Sequence, residues 1–113
     1  MRKLYIVKRK EEFDEIIKKG EVKKSGCFII YYRKNNLPYD RYGISVGKKL
    51  GNAVFRNAYK RKIRSIIDNY KKNYNNGADY IIILRRSAVE RTFQDMDYDF
   101  NKLMHSIRKD NYH

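Results

Sequence analysis

The chain has 113 residues, the size of one domain with one modest core. Its 27 Lys and Arg residues outnumber the 13 Asp and Glu residues, and the net charge of +14 indicates a polyanionic partner, most simply a nucleic acid. No apolar run approaches the roughly 20 residues that span a bilayer, and the single cysteine excludes an internal disulfide framework and a cysteine metal cluster. We therefore expect a cytoplasmic protein without a membrane partner.

The first predicted element is a short helix over Lys10–Lys19. Its apolar residues Phe13, Ile16 and Ile17 stand at i, i+3 and i+4, the spacing that places side chains on one helix face. Gly20 follows directly and predicts a left-handed cap, because glycine adopts that conformation without steric cost.

Two strands are predicted next. Residues 27–32 form a β-branched and aromatic run, and residues 42–46 alternate large and small side chains. Residues 35–38 between them read Asn-Asn-Leu-Pro, a loop signal. Because the two strands are close in sequence, we expect them to pair as a hairpin.

The second half of the chain predicts a long helix, a strand and a last helix. The long helix covers residues 52–74, with Asn52 as its N-cap and residues 75–77 ending it. Residues 79–84 form a continuous apolar strand, which is typical of the centre of a sheet. The last helix covers residues 90–108 and carries one apolar stripe of Phe93, Met96, Phe100, Leu103 and Ile107.

The predicted order is α-β-β-α-β-α, which is an α+β sandwich. Residues 1–113 form a single domain without repeats or linkers, and residues 1–8 form a flexible basic arm.

The long helix has one apolar and one basic side. Six apolar residues fall on an arc of about 120° that we expect to dock on the sheet, namely Phe55, Tyr59, Ile63, Ile66, Ile67 and Tyr70. Asn57, Lys60, Arg61 and Arg64 lie opposite, with Arg56 at the margin. Residues 48–72 hold nine Lys or Arg and one acidic residue, a net charge of +8. A face serving only solubility would mix signs, so this side predicts a polyanion site.

Residues 47–64 read GKKLGNAVFRNAYKRKIR. This segment resembles the signature of bacterial ribonuclease P proteins, in which lysines and Gly-Asn-Ala-Val precede an Arg-Asn-Arg core, a Lys-Arg pair and a further Arg. The resemblance continues over nearly the whole chain. Residues 12–20 resemble the family's first helix, residues 28–31 its first strand, and residues 80–86 its third strand with the basic pair after it.

The resemblance implies a ribosomal-protein-S5-like fold with a left-handed βαβ crossover. It also implies the role of accessory protein subunit in a ribonucleoprotein endoribonuclease. Such a subunit, a monomer in the holoenzyme, binds the ribonuclease P RNA and the single-stranded 5′ leader of precursor tRNA. Cleavage of the leader would then fall to the RNA, which holds most of the magnesium, so no protein residue is expected to be catalytic or a metal ligand.

Matched position by position, the resemblance implies two sets of contacts. The leader would meet Phe13, Ile17 and Tyr31, although Ile17 stands where relatives often have a second Phe. The catalytic RNA would meet a larger basic set, which comprises Lys48, Lys49, Arg56, Asn57, Lys60, Arg61, Arg64, Arg85 and Arg86.

One position departs from the family pattern. Ala58 takes the place of the third residue in the Arg-Asn-Arg core. On a helical projection Ala58 lies beyond the edge of the basic residues, so its presence should weaken the RNA contact without abolishing it.

Three other classes stay open. A module of another ribonucleoprotein, such as a ribosomal protein, would bind RNA without accelerating leader removal. A self-sufficient nuclease would need an acid–base or metal constellation, which His105 and His113 do not supply. A DNA-binding protein would need a recognisable motif, yet no helix-turn-helix or zinc spacing is present.

Overall fold

The computed structural model describes residues 2–111, with side chains to residue 110. The main helices and strands, in chain order, are α1 (Lys10–Lys19), β1 (Glu21–Lys24), β2 (Phe28–Lys34), β3 (Arg41–Ser45), α2 (Ala53–Lys71), β4 (Ala78–Leu84) and α3 (Phe93–Asn111). Short 3-10 turns lie at Lys3–Tyr5, Lys48–Leu50 and Arg86–Glu90. The predicted α+β class is confirmed.

The four strands form one sheet in the order β1-β2-β4-β3. β2 is antiparallel to both β1 and β4, and β3 is parallel to β4, with α2 as the connection between the parallel pair. The predicted hairpin of β2 with β3 is therefore wrong, because β4 lies between them. The central position predicted for residues 79–84 is confirmed: Ala78–Ile82 and Leu84 are buried, as expected of an apolar strand covered on both faces.

The prediction from the sequence omitted strand β1 and assigned the wrong backbone conformation to Gly20. β1 is a polar strand at the sheet edge, so its residues carry no alternating apolar signal. Gly20, between α1 and β1, has φ −77° and ψ 170°, so the left-handed cap predicted there is wrong. The position instead requires a close backbone approach, because a Cβ atom would lie 2.5 Å from the Ile16 carbonyl oxygen and 2.8 Å from that of Tyr32.

α2 and α3 pack on one face of the sheet and form the main core. The predicted docking face of α2 is confirmed, with Phe55 partly buried and the other five residues buried. The stripe of α3 is buried from Met96 to Ile107, but Phe93 is 41% exposed. α3 begins at Phe93 rather than residue 90, because residues Arg86–Glu90 form a 3-10 turn.

The start and end of α2 are fixed by polar side chains. Asn52 Oδ1 accepts a hydrogen bond from the Phe55 amide at 2.9 Å, which confirms the predicted N-cap. The helix ends at Lys71, earlier than predicted. In the loop that follows, Gly77 has φ +65°, and the buried Asp40 carboxylate accepts hydrogen bonds from the amides of Asn76 and Ala78 at 3.0 and 2.9 Å.

α1 packs on the other face of the sheet. Ile16 is fully buried with Val7 and Ile81, and partly buried apolar side chains surround these three, namely Phe13, Ile17, Tyr31 and Ile83. Ile29, Ser45 and Ile83 lie in one register row of this face and remain partly exposed. We refer to this row together with Tyr31 as the open face.

The segment before α1 lies along the edge strand β3. The Val7 amide donates a hydrogen bond to the Tyr42 carbonyl at 3.0 Å, and Ile6 forms a parallel bridge with Tyr42. Part of the segment predicted as a basic arm is thus in contact with the sheet, and residue 1 lies outside the described residues.

Candidate nucleic-acid interface

The three residues predicted to meet the leader are brought together. Phe13 and Ile17 project from α1 and Tyr31 from β2, and all three pack against the buried cluster of Val7, Ile16 and Ile81. Each remains partly exposed. An apolar and aromatic surface therefore lies beside α1, at the border of the open face.

A hollow of about 140 Å³ lies between α1, β3 and α2. Its apolar side includes Phe13 and Ile44, and its basic side is formed by Lys60 and Arg64 of α2. Residues predicted from the resemblance to meet two different RNA strands thus line the same small cavity, which we call the α1–α2 hollow.

The basic row of α2, which consists of Asn57, Lys60, Arg61 and Arg64, faces away from the core. Asn57, Arg61 and Arg64 are exposed and Lys60 is partly buried. Arg56 is also partly buried, and its Nε atom has no hydrogen-bond partner among the described residues. The row offers bidentate guanidinium donors and one lysine point charge, the groups that bind phosphate oxygens.

Four further basic residues lie at one edge of the sheet. Lys48 and Lys49 follow β3, and Arg85 and Arg86 follow β4. Because β3 and β4 are parallel, both pairs leave the sheet at the same edge, where α2 also begins. All four are exposed, although the Arg85 guanidinium also donates a hydrogen bond to the Ser25 carbonyl at 2.7 Å. The four basic residues therefore lie near Ser45 and Ile83 of the open face, which stand close to the ends of these two strands.

A largely buried ion pair holds α1 against the sheet. Arg41 donates two hydrogen bonds to the Asp79 carboxylate, from Nε at 2.8 Å and Nη2 at 2.7 Å, and a third to Glu12 of α1 at 3.0 Å. The hydrogen bond with Asp79 is the main cause that raises the pKa of Arg41. Arg33 forms a second link to α1 by pairing with Glu15 at 2.9 Å, which lowers the pKa of Glu15. These contacts fix the orientation of α1 and hence of Phe13.

The residue types that most often bind metals or transfer protons are represented by Cys27, by the two histidines and by scattered acids. Among residues 2–111 no group of three or more His, Cys, Asp and Glu side chains could hold a metal ion. Cys27 is buried, and burial, followed by the nearby Asp99 carboxylate, raises its thiol pKa to about 11. His105 is exposed on α3 beside Arg108, and His113 lies outside the described residues.

Two parts of these cavities were not predicted from the sequence. Gly43 and Ile44 line the α1–α2 hollow, but the sequence offered only a small residue in a strand as a signal. The apolar stripe of α3 predicts that Phe93 lies in the core, yet its ring lines a surface groove.

Within the described part of the chain, no helix has the length and apolar character required to cross a membrane.

A basic helix beside a half-covered, largely apolar sheet face that carries Tyr31 defines a small RNA-binding protein of the α+β class. The family model described as Ribonuclease P matches residues 1–108. The ribonuclease P protein component of Mesoplasma florum is 46% identical over 105 residues, which cover 92% of this chain and 96% of that protein. The ribonuclease P protein component of Mycoplasma mycoides is 40% identical, and the match covers 96% of this chain and 100% of that protein. The chain belongs to the ribonuclease P protein family, which confirms the resemblance.

Solved structures agree with this assignment. The ribonuclease P protein of Staphylococcus aureus superposes with a TM-score of 0.84 at 33% identity, over 92% of this chain and 95% of that chain. The Thermotoga maritima protein superposes with a TM-score of 0.78 at 31% identity, and the superposition covers 86% of this chain and 93% of that chain. The fold is therefore that of the bacterial ribonuclease P proteins.

Proposed function

We propose that this protein binds both the ribonuclease P RNA and the 5′ leader of precursor tRNA and thereby assists removal of the leader. The observation that supports this most directly is the α1–α2 hollow, in which Phe13 lies on one side and Lys60 and Arg64 on the other. One surface can then hold a single strand on the apolar side while its basic side faces a second RNA.

The leader would run over Phe13, Ile17 and Tyr31 toward the open face. Aromatic rings stack on any base, with about 1–3 kcal/mol per base, and this suits leaders whose sequences differ between tRNAs. Ile17 gives apolar contact but no stacking, so the rings at this site are those of Phe13 and Tyr31.

The catalytic RNA would meet the basic row, the Lys48–Lys49 pair and the Arg85–Arg86 pair. Bringing two anionic strands together is opposed by their charge, and a protein of net charge +14 between them reduces this repulsion. Binding should fall steeply with salt, because even about six phosphate contacts lose about a thousandfold in affinity between roughly 50 and 200 mM.

Magnesium, in this proposal, is held mainly by the RNA. The described residues offer no ligand cluster that fits the ion, so no step of the reaction is assigned to a protein-bound metal. The contribution of the protein is to bind, orient and neutralise, with the chemistry on the RNA subunit. We further propose one copy of the protein per holoenzyme, acting in the cytoplasm.

The test is a reconstitution with a bacterial ribonuclease P RNA and a precursor tRNA at low magnesium, with and without this protein. We expect cleavage at the mature 5′ end that requires both the RNA and the protein. Cleavage by the protein alone would reassign the chemistry to the protein. RNA binding with no effect on the cleavage rate would instead indicate a module of another ribonucleoprotein.

A further inference from the structure

A second groove lies between α2 and the first turns of α3. It has a volume of about 610 Å³ and is lined by Arg61, Arg64 and Ser65 from α2, by Lys72 directly after α2, and by Phe93 from α3. Arg64 also lines the α1–α2 hollow, so the two cavities meet at this side chain. We call this cavity the α2–α3 groove.

Phe93 is the feature that core packing does not explain. The apolar positions that follow it on α3, Met96 and Phe100, are 1% and 0% exposed, whereas Phe93 is 41% exposed. The stripe thus leaves the core at its first residue, and the ring becomes part of the groove wall. An aromatic ring in the wall of a groove can stack on the flat face of a nucleobase.

The charges in the groove favour an anionic ligand with room for a neutral part. Three cations, Arg61, Arg64 and Lys72, face two acids, Asp68 and Asp97, which leaves a net charge of +1. Asp97 is engaged by the Asn101 amide at 3.3 Å. Among the described residues, no ion pair within 4.0 Å involves either arginine.

The combination of groups identifies the occupant. A bare anion would gain nothing from an aromatic ring, and an apolar ligand would gain nothing from three cations. A nucleotide carries a phosphate for the guanidinium groups, a base that stacks on Phe93, and base edges that can hydrogen-bond to Ser65 and Asn69. Only an unpaired nucleotide has its base face free for stacking.

We propose that the α2–α3 groove binds an unpaired nucleotide of the RNA partner, with its base on Phe93 and its phosphate on the guanidinium groups of Arg61 and Arg64. This inference rests on the proposed function, since it requires an RNA partner, and adds to it a stacking site outside the leader surface. The nucleotide can come from the ribonuclease P RNA or from the precursor tRNA, because both expose the same chemistry.

The test uses Phe93→Ala, Phe93→Trp and the matched control Tyr98→Ala. Tyr98 is also an exposed aromatic residue of α3, at 69% exposure, and does not line the groove. One arm titrates a bacterial ribonuclease P RNA with each variant at fixed salt. The other measures the affinity of each reconstituted complex for precursor tRNA with and without its leader. Circular dichroism and urea unfolding report whether each variant is folded.

We expect Phe93→Ala to lower the affinity measured in one of the two arms by about fivefold or more, as the loss of one stacked base predicts. Phe93→Trp should retain the wild-type affinity, and Tyr98→Ala should match the wild type. A loss in the first arm assigns the nucleotide to the catalytic RNA, and a loss confined to leader-bearing tRNA assigns it to the leader. Equal affinities for Phe93→Ala and Tyr98→Ala in both arms overturn the inference alone. Failure of the wild type to bind either RNA overturns the proposed function as well.

Discussion

The ring of Phe13 lies directly on the backbone of Gly43. A Cβ atom at Gly43 would stand 2.6 Å from Phe13 Cε2 and 2.8 Å from Ile81 Cδ1, closer than side chains tolerate. A glycine in β3 therefore allows α1 to approach the sheet and sets the height of Phe13 above it. Because Phe13 lines the α1–α2 hollow, the shape of the proposed leader site depends on this contact.

Gly43→Ala should displace Phe13 and damage both stability and function. Forcing one extra carbon into this contact is expected to lower the free energy of unfolding by about 1–3 kcal/mol, measured by urea titration. Cleavage by the reconstituted enzyme at low magnesium should slow in parallel. The control is Gly47→Ala, because Gly47 has φ −63° and a Cβ atom there would have no atom of the described residues within 4 Å beyond its chain neighbours. Equal behaviour of the two variants would contradict the account.

Removing the Asp79 carboxylate should cost far more stability than removing an exposed acid. Asp79 is 1% exposed and accepts two hydrogen bonds from Arg41, so Asp79→Ala leaves a largely buried guanidinium without its main partner. We expect the free energy of unfolding to fall by about 3–5 kcal/mol in a urea titration. Glu15→Gln breaks the solvent-exposed pair with Arg33 and should have a much smaller effect. A similar loss in both variants would show that burial does not govern this network.

Ala58→Arg should tighten binding to the ribonuclease P RNA. The substitution restores the residue that the family pattern has at this position, on a helix that already presents the basic row. One further phosphate contact should steepen the slope of log affinity against log salt by about one. His105→Arg adds the same charge on α3 and serves as the control for non-specific attraction. Unchanged or weaker affinity of Ala58→Arg in a salt-controlled titration would count against the prediction.

Cys27 should resist alkylation in the folded protein at neutral pH. Its side chain is 1% exposed and its pKa is raised to about 11, so both access and thiolate population are low. Mass spectrometry after iodoacetamide treatment should show slow modification in buffer and rapid modification in guanidinium chloride. Comparable rates in the two conditions would mean that the thiol is open to solvent.

The same pKa shift predicts a dependence of stability on alkaline pH. Since the folded-state pKa lies above the ordinary thiol value of 9.0, the thiol favours the folded state below pH 9.0, and this contribution disappears as the pH rises toward about 11. The difference in unfolding free energy between the wild type and Cys27→Ala should therefore shrink across that window. A difference that is constant with pH would show that Cys27 does not titrate there.

The helices were largely predictable from the sequence, whereas the strand pairing was not. α1 has the predicted ends and Asn52 caps α2, because these features depend on side chains within one turn of the helix. The position of β4 between β2 and β3 depends instead on the whole sheet, since an apolar strand such as 79–84 is stable where both faces are covered. The closeness of β2 and β3 in sequence favoured a hairpin, but it gave no information on whether β4 would take the position between them.

The exposed position of the basic row was predictable from the sequence, but the arrangement of the residues around it was not. The basic row follows from helical periodicity, and the leader residues came from the resemblance. That Phe13 and Lys60 line one cavity could not be foreseen, because α1 and α2 are brought together only by the sheet between them. For Phe93 the prediction from helical spacing was wrong. Its position fits the core stripe, but the helix begins at that residue and the ring remains partly at the surface.

The central claim is that the surface around Phe13 holds the leader, and the most direct measurement of it is leader-dependent affinity. Dissociation constants of the reconstituted complex would be measured for a precursor tRNA and for the same tRNA without its leader, with wild-type protein and with Phe13→Ala. The account predicts that the wild type prefers the leader-bearing tRNA and that Phe13→Ala loses at least about fivefold of this preference while binding mature tRNA normally. An unchanged preference in a folded Phe13→Ala variant would contradict it.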